Sequence, residues 1–190
     1  MRRIVVSEFV SLDGVMEGPG PEDPYVHAGW TFSNQDPVGM KFKLDEVMAH
    51  DALLLGRVTY EGFANAWPGR TDGIGFAGKM NSMPKHVVSS TLERAEWNNS
   101  AIISGEIPVE ITRLKQERGG DILVAGSGQL VQTLLVEGLI DELRLMVFPI
   151  VLGSGKRLFG NNTDPVSLEL AGSTQLQSGT LILTYLPAGS

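Results

Sequence analysis

Hydrophobic positions along this chain first cluster in short runs and later alternate with them in a helical rhythm. Ala52–Leu55 is an unbroken apolar run, which predicts a strand buried on both faces. It stops at Gly56-Arg57, and from Thr59 the pattern changes to a helical one whose stripe is Tyr60, Phe63 and Trp67. The plan repeats at Asp121–Leu135. There Ile122–Ala125 predicts a four-residue strand, Gly126-Ser127-Gly128 a turn, and Leu130, Leu134 and Leu135 one side of a helix. A strand that ends in glycine and feeds a helix suits phosphate, because backbone can approach the ligand and the first helical turn offers unpaired N–H groups.

The rest of the pattern fills in around these two units. Arg2–Leu12 is rich in β-formers and predicts a central strand ending at Asp13-Gly14. Gly14–Trp30 is a Gly-, Pro- and acid-rich loop whose position suits a lid, with Met16 and Trp30 as apolar anchors that could close over a flat ring. Asp36-Pro37 predicts a helix start, Asp as N-cap and Pro in the first turn. The helix should run to about His50 with Val38, Phe42, Leu44, Val47 and Met48 facing inward. One helical turn is expected around Phe76–Met80, short strands at Lys85–Ser89 and Ala101–Ser104, and a helix at Pro108–Arg118 closed by Gly119-Gly120. The last quarter, Asp141–Val151, Val166–Leu170 and Leu181–Leu186, predicts strands without intervening helices. The sheet should therefore be mixed, mostly parallel, with antiparallel strands at its end.

Composition narrows the function. The chain has 190 residues, 42% of them apolar, which suits one domain over residues 1–190 with a packed core. It has no cysteine, which excludes disulfides, a thiolate zinc site and a cysteine nucleophile, and accords with a reducing cytoplasm. The net charge of −7 argues against nucleic acid or an anionic membrane as partner. No stretch approaches the roughly 20 apolar residues of a membrane span. His27, His50 and His86 are scattered without metal-ligand spacing, so no metal is expected.

Five short motifs carry a resemblance. Gly56-Arg57-Val58-Thr59-Tyr60-Glu61 resembles the Gly-Arg-x-Thr-x-Glu segment of dihydrofolate reductases, and Val87-Val88-Ser89-Ser90 is similar to their next strand, which ends in serines near the adenosine phosphate. Gly126-Ser127-Gly128-Gln129-Leu130 resembles their later glycine turn against the pyrophosphate. Ser11-Leu12-Asp13-Gly14, and the tail from Asp141-Glu142-Leu143 to Gly153–Phe159, are more similar to the reductase domain of the bifunctional riboflavin-synthesis deaminase-reductase. The resemblance implies a dihydrofolate-reductase-like three-layer α/β fold, with helices on both faces of a mostly parallel sheet. It also implies a homodimer and an NADPH-dependent reduction of a small heterocyclic or carbonyl substrate. Gly56, Arg57, Thr59, Ser89, Ser90, Gly126, Ser127, Gly128, Gln129 and Leu130 would hold the cofactor. Arg57 favours NADPH over NADH, since a 2′-phosphate calls for a cation.

The substrate half matches less of either family. Where the riboflavin reductases place a glutamate before their glycine turn this chain has Val124-Ala125-Gly126, and their phosphoribosyl-gripping segment is replaced by Thr59–Phe63. Asp13, beside the candidate lid, is the acid best placed by sequence to deliver a proton, with a turn-bracing role as the alternative. Asp36 is the acid nearest to the position of the pterin-binding carboxylate, with helix capping as the alternative. Reduction of a pterin or of the riboflavin-pathway aminouracil, and a non-catalytic nucleotide-binding protein, stay open as other readings.

Overall fold

A computed structural model describes residues 1–160 and 165–189. Eight strands form one sheet in the order β4-β3-β2-β5-β1-β6-β8-β7. They are β1 (Ile4–Ser11), β2 (Ala52–Gly56), β3 (Lys85–Val88), β4 (Ser100–Ile103), β5 (Ile122–Ala125), β6 (Glu142–Phe148), β7 (Leu168–Gln175) and β8 (Leu181–Pro187). Every pairing from β4 across to β6 is parallel. β8 runs antiparallel to both β6 and β7. The expected antiparallel finish is present, with one refinement: the last strand in sequence sits between β6 and β7, and β7 forms the edge. β7 spans Leu168–Gln175 rather than Val166–Leu170. Its side chains are mostly exposed, so burial imposed little pattern on its sequence.

Among the described residues five α-helices cover the sheet: α1 (Pro37–Ala49), α2 (Arg57–Ala66), α3 (Phe76–Ser82), α4 (Ile107–Gln116) and α5 (Gly128–Val136). Ile111 and Leu114 of α4 and Leu130, Val131 and Leu134 of α5 pack with Ile4, Val6, Leu54 and Val124 on one face. Val47 of α1, Tyr60 of α2 and Met80 of α3 pack with Leu53, Leu55, Val87 and Leu123 on the other. All four residues Ala52–Leu55 have no exposed surface, as a strand sandwiched between two helical layers requires.

α1 departs from its expected face. Asp36 caps it by accepting from the Val38 N–H (2.8 Å), and Val47 is buried, but Val38 and Met48 are 58% and 42% exposed. The inward positions include Glu46 and His50, both buried, so a polar pair occupies places where an apolar stripe was expected. Burial of ionic groups is tolerated only where partners exist, and Glu46 has two cations beside it. α2 begins at Arg57, two residues earlier than Thr59, because the extended Gly56 serves as its N-cap. α3 is seven residues, longer than one turn, because Asp72 caps it. Asp72 accepts from the N–H groups of Ile74, Gly75, Phe76 and Ala77 at 2.6–3.1 Å.

The segment after β3 is pinned by a buried hub. Lys85 is fully buried, donates to the carbonyls of Asn81 (2.7 Å) and Asn98 (2.9 Å), and lies 4.1 Å from the Trp97 ring centroid. The Trp97 indole N–H donates to Asn81 Oδ1 (2.8 Å) and its backbone N–H to the Tyr60 hydroxyl (2.9 Å). Burial pushes the Lys85 pKa down to about 8 from 10.5. Between those two values the unfolded chain binds the proton that the folded chain has released, so stability rises with pH. Thermal melts should show wild type gaining stability from about pH 8 to 10.5 relative to Lys85→Met, which fills similar space without a titrating group. Parallel profiles for the two proteins would contradict this.

Candidate active site

The two strand-glycine-helix units meet because β5, late in the chain, inserts between β1 and β2. Parallel pairing in that order aligns the carboxyl ends of β1, β2 and β5, the usual ligand side of an open α/β sheet. The turns are then laced together. The Gly56 N–H donates to Ser127 Oγ (2.9 Å), and the Ser127 N–H donates to Thr59 Oγ1 (2.9 Å). Gly126 has φ +65°, and a Cβ there would lie 2.8 Å from Thr59 Cγ2, so glycine alone fits between the two helix starts. Ser127 itself adopts φ +66°.

Neither α2 nor α5 has a side-chain cap on its first turn, and these two N-termini stand side by side. Their free N–H groups and partial positive charge make an edge suited to an anion. Arg57 starts α2 with its side chain 43% exposed and its guanidinium bonded to Glu61 (2.8 Å). An exposed i,i+4 pair of this kind contributes only about 0.3–0.5 kcal/mol, so it does not hold Arg57 back from a more strongly charged ligand. Gln129 is exposed on the first turn of α5, whereas Leu130 is buried and anchors that helix to the core. Ser89 and Ser90 follow the end of β3 on the same edge, since Gly56 is in register with Val88. The Ser89 hydroxyl accepts from the N–H groups of Thr91 and Leu92, and Ser90 is exposed.

The loop after β1 folds back over this edge. Met16 Sδ lies 2.7 Å from where a Cβ on Gly128 would stand, which brings the loop against the glycine turn. Trp30 lies elsewhere: it is buried, its indole N–H donates to the Glu17 carbonyl (2.8 Å), and its ring meets Phe148 edge-on at 5.3 Å. It ties the loop to the core on the α1 side. Asp13 braces the loop's other end. Its carboxylate accepts from the Ser11 hydroxyl (2.7 Å), Leu152 N–H (3.0 Å) and Gly153 N–H (2.9 Å) and lies 3.6 Å from Arg157. The Ser11 hydroxyl and the two backbone donors hold its pKa at about 2, so it is ionised and occupied at neutral pH. Asp36 is occupied as well, by Val38 and Ser178 N–H groups. Burial raises its pKa, but those bonds outweigh it and leave the carboxyl below its usual value.

Sequence reasoning missed the polar groups flanking β1. On the α1 side, Lys43 donates to the Ser7 hydroxyl (2.8 Å) and to Glu46, and its ammonium sits 5.1 Å from the Phe9 ring centroid. Arg144 bonds both Glu46 (3.2 Å) and Glu142 (2.6 Å). Burial would raise the Glu46 pKa, yet Lys43, Ser7 and Arg144 together hold it below the usual value. On the opposite side of β1, Glu8 is buried and accepts from the Gly126 N–H (3.0 Å) through Oε2. Burial pushes its carboxyl well above the ordinary range, and the pull of Lys43 and Gly126 does not offset it. The available signal was the pair Ser7-Glu8 interrupting an otherwise apolar strand. Among the described residues, no three His, Asp or Glu side chains form a metal-holding group, and no helix is long and apolar enough to cross a membrane.

A mostly parallel sheet with two uncapped helix starts side by side at its carboxyl edge defines an open α/β domain of the nucleotide-binding type of architecture. The sequence matches the family model for the RibD C-terminal domain over residues 2–182, and the chain belongs to that family. It is 29% identical to the uncharacterized Bacillus subtilis protein YyaP over 187 residues, 97% of this chain and 94% of that one. Among solved structures it is similar to a Shewanella sp. PV-4 protein whose name places it in riboflavin biosynthesis. The TM-score is 0.74 at 22% identity, covering 97% of this chain and 98% of that one. It is also similar to Enterococcus faecalis dihydrofolate reductase complexed with NADP(H). There the TM-score is 0.65 at 17% identity, with 98% and 96% covered. The dihydrofolate-reductase-like fold that the five motifs implied is the observed one.

The lacing of the turns has a measurable consequence. Thr59→Val and Ser127→Ala each strip the acceptor from a partly buried N–H, and each should cost about 1–2 kcal/mol in urea unfolding. Because the two bonds share Ser127, the double variant should depart from additivity by about 0.5 kcal/mol or more.

Proposed function

We propose that this protein is an NADPH-dependent reductase of a small heterocyclic or carbonyl compound. The observation that carries the reading is the pair of uncapped helix N-termini, α2 and α5, held side by side by the Gly56–Ser127 and Ser127–Thr59 hydrogen bonds. Two adjacent phosphate-type turns suit the two halves of one dinucleotide. The residues present fit that cofactor: the first turns of both helices are free of side-chain caps, Gly126 and Gly128 leave no side chain at the edge, and Arg57 is exposed beside them.

In this reading Gly56, Thr59, Gly126, Ser127, Gly128 and Gln129 cradle the pyrophosphate, with Leu130 fixing α5 behind them. Arg57 takes the 2′-phosphate, and Ser89 and Ser90 lie toward the adenosine. The nicotinamide, when bound, supplies the hydride. Met16 closes over the turn, and Trp30 anchors its loop. Asp13 and Asp36 serve as brace and cap, which leaves Lys43 as the polar group beside β1 able to polarise an electrophilic substrate. Its ammonium, spread over Phe9 and held by Ser7 and Glu46, is positioned for a flat ring packed on that aromatic face. The chain is taken to act as a homodimer, for which the apolar groove lined by Leu135, Ile140, Leu143, Leu168 and Tyr185 offers a surface.

A second reading, a nucleotide-binding protein without turnover, draws support from the occupied carboxylates of Asp13 and Asp36. NADPH oxidation at 340 nm with a panel of pterins, pyrimidinones and quinones separates the two: binding with no turnover on any compound favours the second. Arg57→Ala should raise the NADPH dissociation constant about 10- to 100-fold while changing NADH binding little, followed by nicotinamide fluorescence. Unchanged NADPH affinity would remove Arg57 from the site. With a turned-over substrate, Lys43→Met should lower kcat about 10- to 100-fold and leave NADPH affinity near wild type; equal loss in both would assign Lys43 to the fold alone.

A further inference from the structure

Among the described residues, Glu8 is the one buried acid near the cleft that the reading above leaves unused. It sits in the middle of β1, only 4% exposed. Oε2 accepts from the Gly126 N–H at 3.0 Å, and among the described residues Oε1 is buried with no hydrogen-bond partner. A carboxylate there would be a buried anion with one donor and no ion pair, an arrangement that burial strongly disfavours.

The surrounding charges do not change this. From α1, Lys43 and Glu46 lie on the other side of the strand, bonded to each other, and their charges largely offset. From β6, Arg144 is taken by Glu46 and Glu142. From α2, Arg57 is paired with Glu61, and α5 carries no charged side chain along Gly128–Val136. The glycine turn contributes no charge, only backbone N–H groups and the Ser127 hydroxyl, which accepts from the Gly56 N–H. An uncharged acid in this position has an O–H group at its second oxygen and no acceptor for it.

Resting on the NADPH reading above, we propose that Glu8 is a positioning residue for the dinucleotide. Kept as an uncharged acid beneath the glycine turn, it fixes that turn through the Gly126 N–H and donates its O–H to an oxygen of the nucleotide seated there. Two consequences follow from the charge. The neutral acid can lie beside a pyrophosphate at no electrostatic cost, whereas the ionised form loses the donor and adds repulsion at close range. Cofactor affinity should therefore be full while Glu8 is protonated and decline as rising pH removes the proton.

Glu8→Gln separates this role from a merely structural one. The amide oxygen can accept from the Gly126 N–H and the amide N–H₂ can donate to the nucleotide, at every pH. NADPH titrations of the full chain at pH 6 and pH 9 should show wild type losing affinity about tenfold more than Glu8→Gln over that interval. Comparison between the two proteins cancels titration of the 2′-phosphate and of other side chains. A second measurement uses wild type alone as the responding protein: infrared difference spectra on adding NADPH should contain a shifted protonated-carboxyl C=O band that Glu8→Gln lacks. Equal pH losses in the two proteins, or no such band, overturn the role of Glu8 and leave the NADPH reading standing. Failure of both proteins to bind NADPH at either pH overturns the reading and this inference together.

Discussion

The position of β5 between β1 and β2 is the constraint on which the rest of the site depends. It brings a strand from the second half of the chain between two from the first, and parallel pairing then forces all three to end on one side. Two turns about 70 residues apart in sequence, from Gly56 to Ser127, become hydrogen-bonded neighbours. Hydrophobic burial on both faces enforces the arrangement, because Ala52–Leu55 and Ile122–Val124 have almost no exposed surface and separating these strands would expose apolar side chains of both layers.

The same placement explains the polar residues inside the fold. β1 is central, so Ser7 and Glu8 face opposite helical layers. On the α1 side, Ser7 enters an ion network in which Lys43, Glu46, Arg144 and Glu142 satisfy one another. On the other side, Glu8 reaches the Gly126 turn and finds a single donor. One face of the strand therefore resolves its charges by pairing and the other leaves an acid in a low-dielectric site. That asymmetry separates a network satisfied within the protein from a buried acid sensitive to what binds next to it.

The loop from Gly14 to Trp30 links the two sides. Asp13 and Arg157 fasten its start to the 150s segment, where Val15 also bridges to Arg157, and Trp30 fastens its end to Phe148. Between these fixed points Met16 rests over Gly128. A loop held at both ends and lying over a glycine turn can cover a ligand without refolding, which is the property a lid needs.

What the sequence determined by itself was local: strands from apolar runs, a helix start from Asp36-Pro37 and another placed two residues late at Thr59, turns from glycine, and a mostly parallel sheet with an antiparallel end. These follow from backbone preferences and the two periodicities of burial, which act over a few residues. The motifs also carried the family, because the edge with the two glycine turns is built from contiguous segments. Only the tertiary structure decided the inward face of α1, where Glu46 and His50 are buried while Val38 and Met48 are exposed, since the Glu46 carboxylate needs Lys43 and Arg144 standing alongside and the His50 ring is held by the Glu46 carbonyl. It alone found Glu8, and it showed the carboxylates of Asp13 and Asp36 already engaged. Whether a buried charge is paired, or a carboxylate is occupied, depends on residues far away in sequence, 142 positions between Asp36 and Ser178 and 144 between Asp13 and Arg157, and no local pattern encodes such a partner.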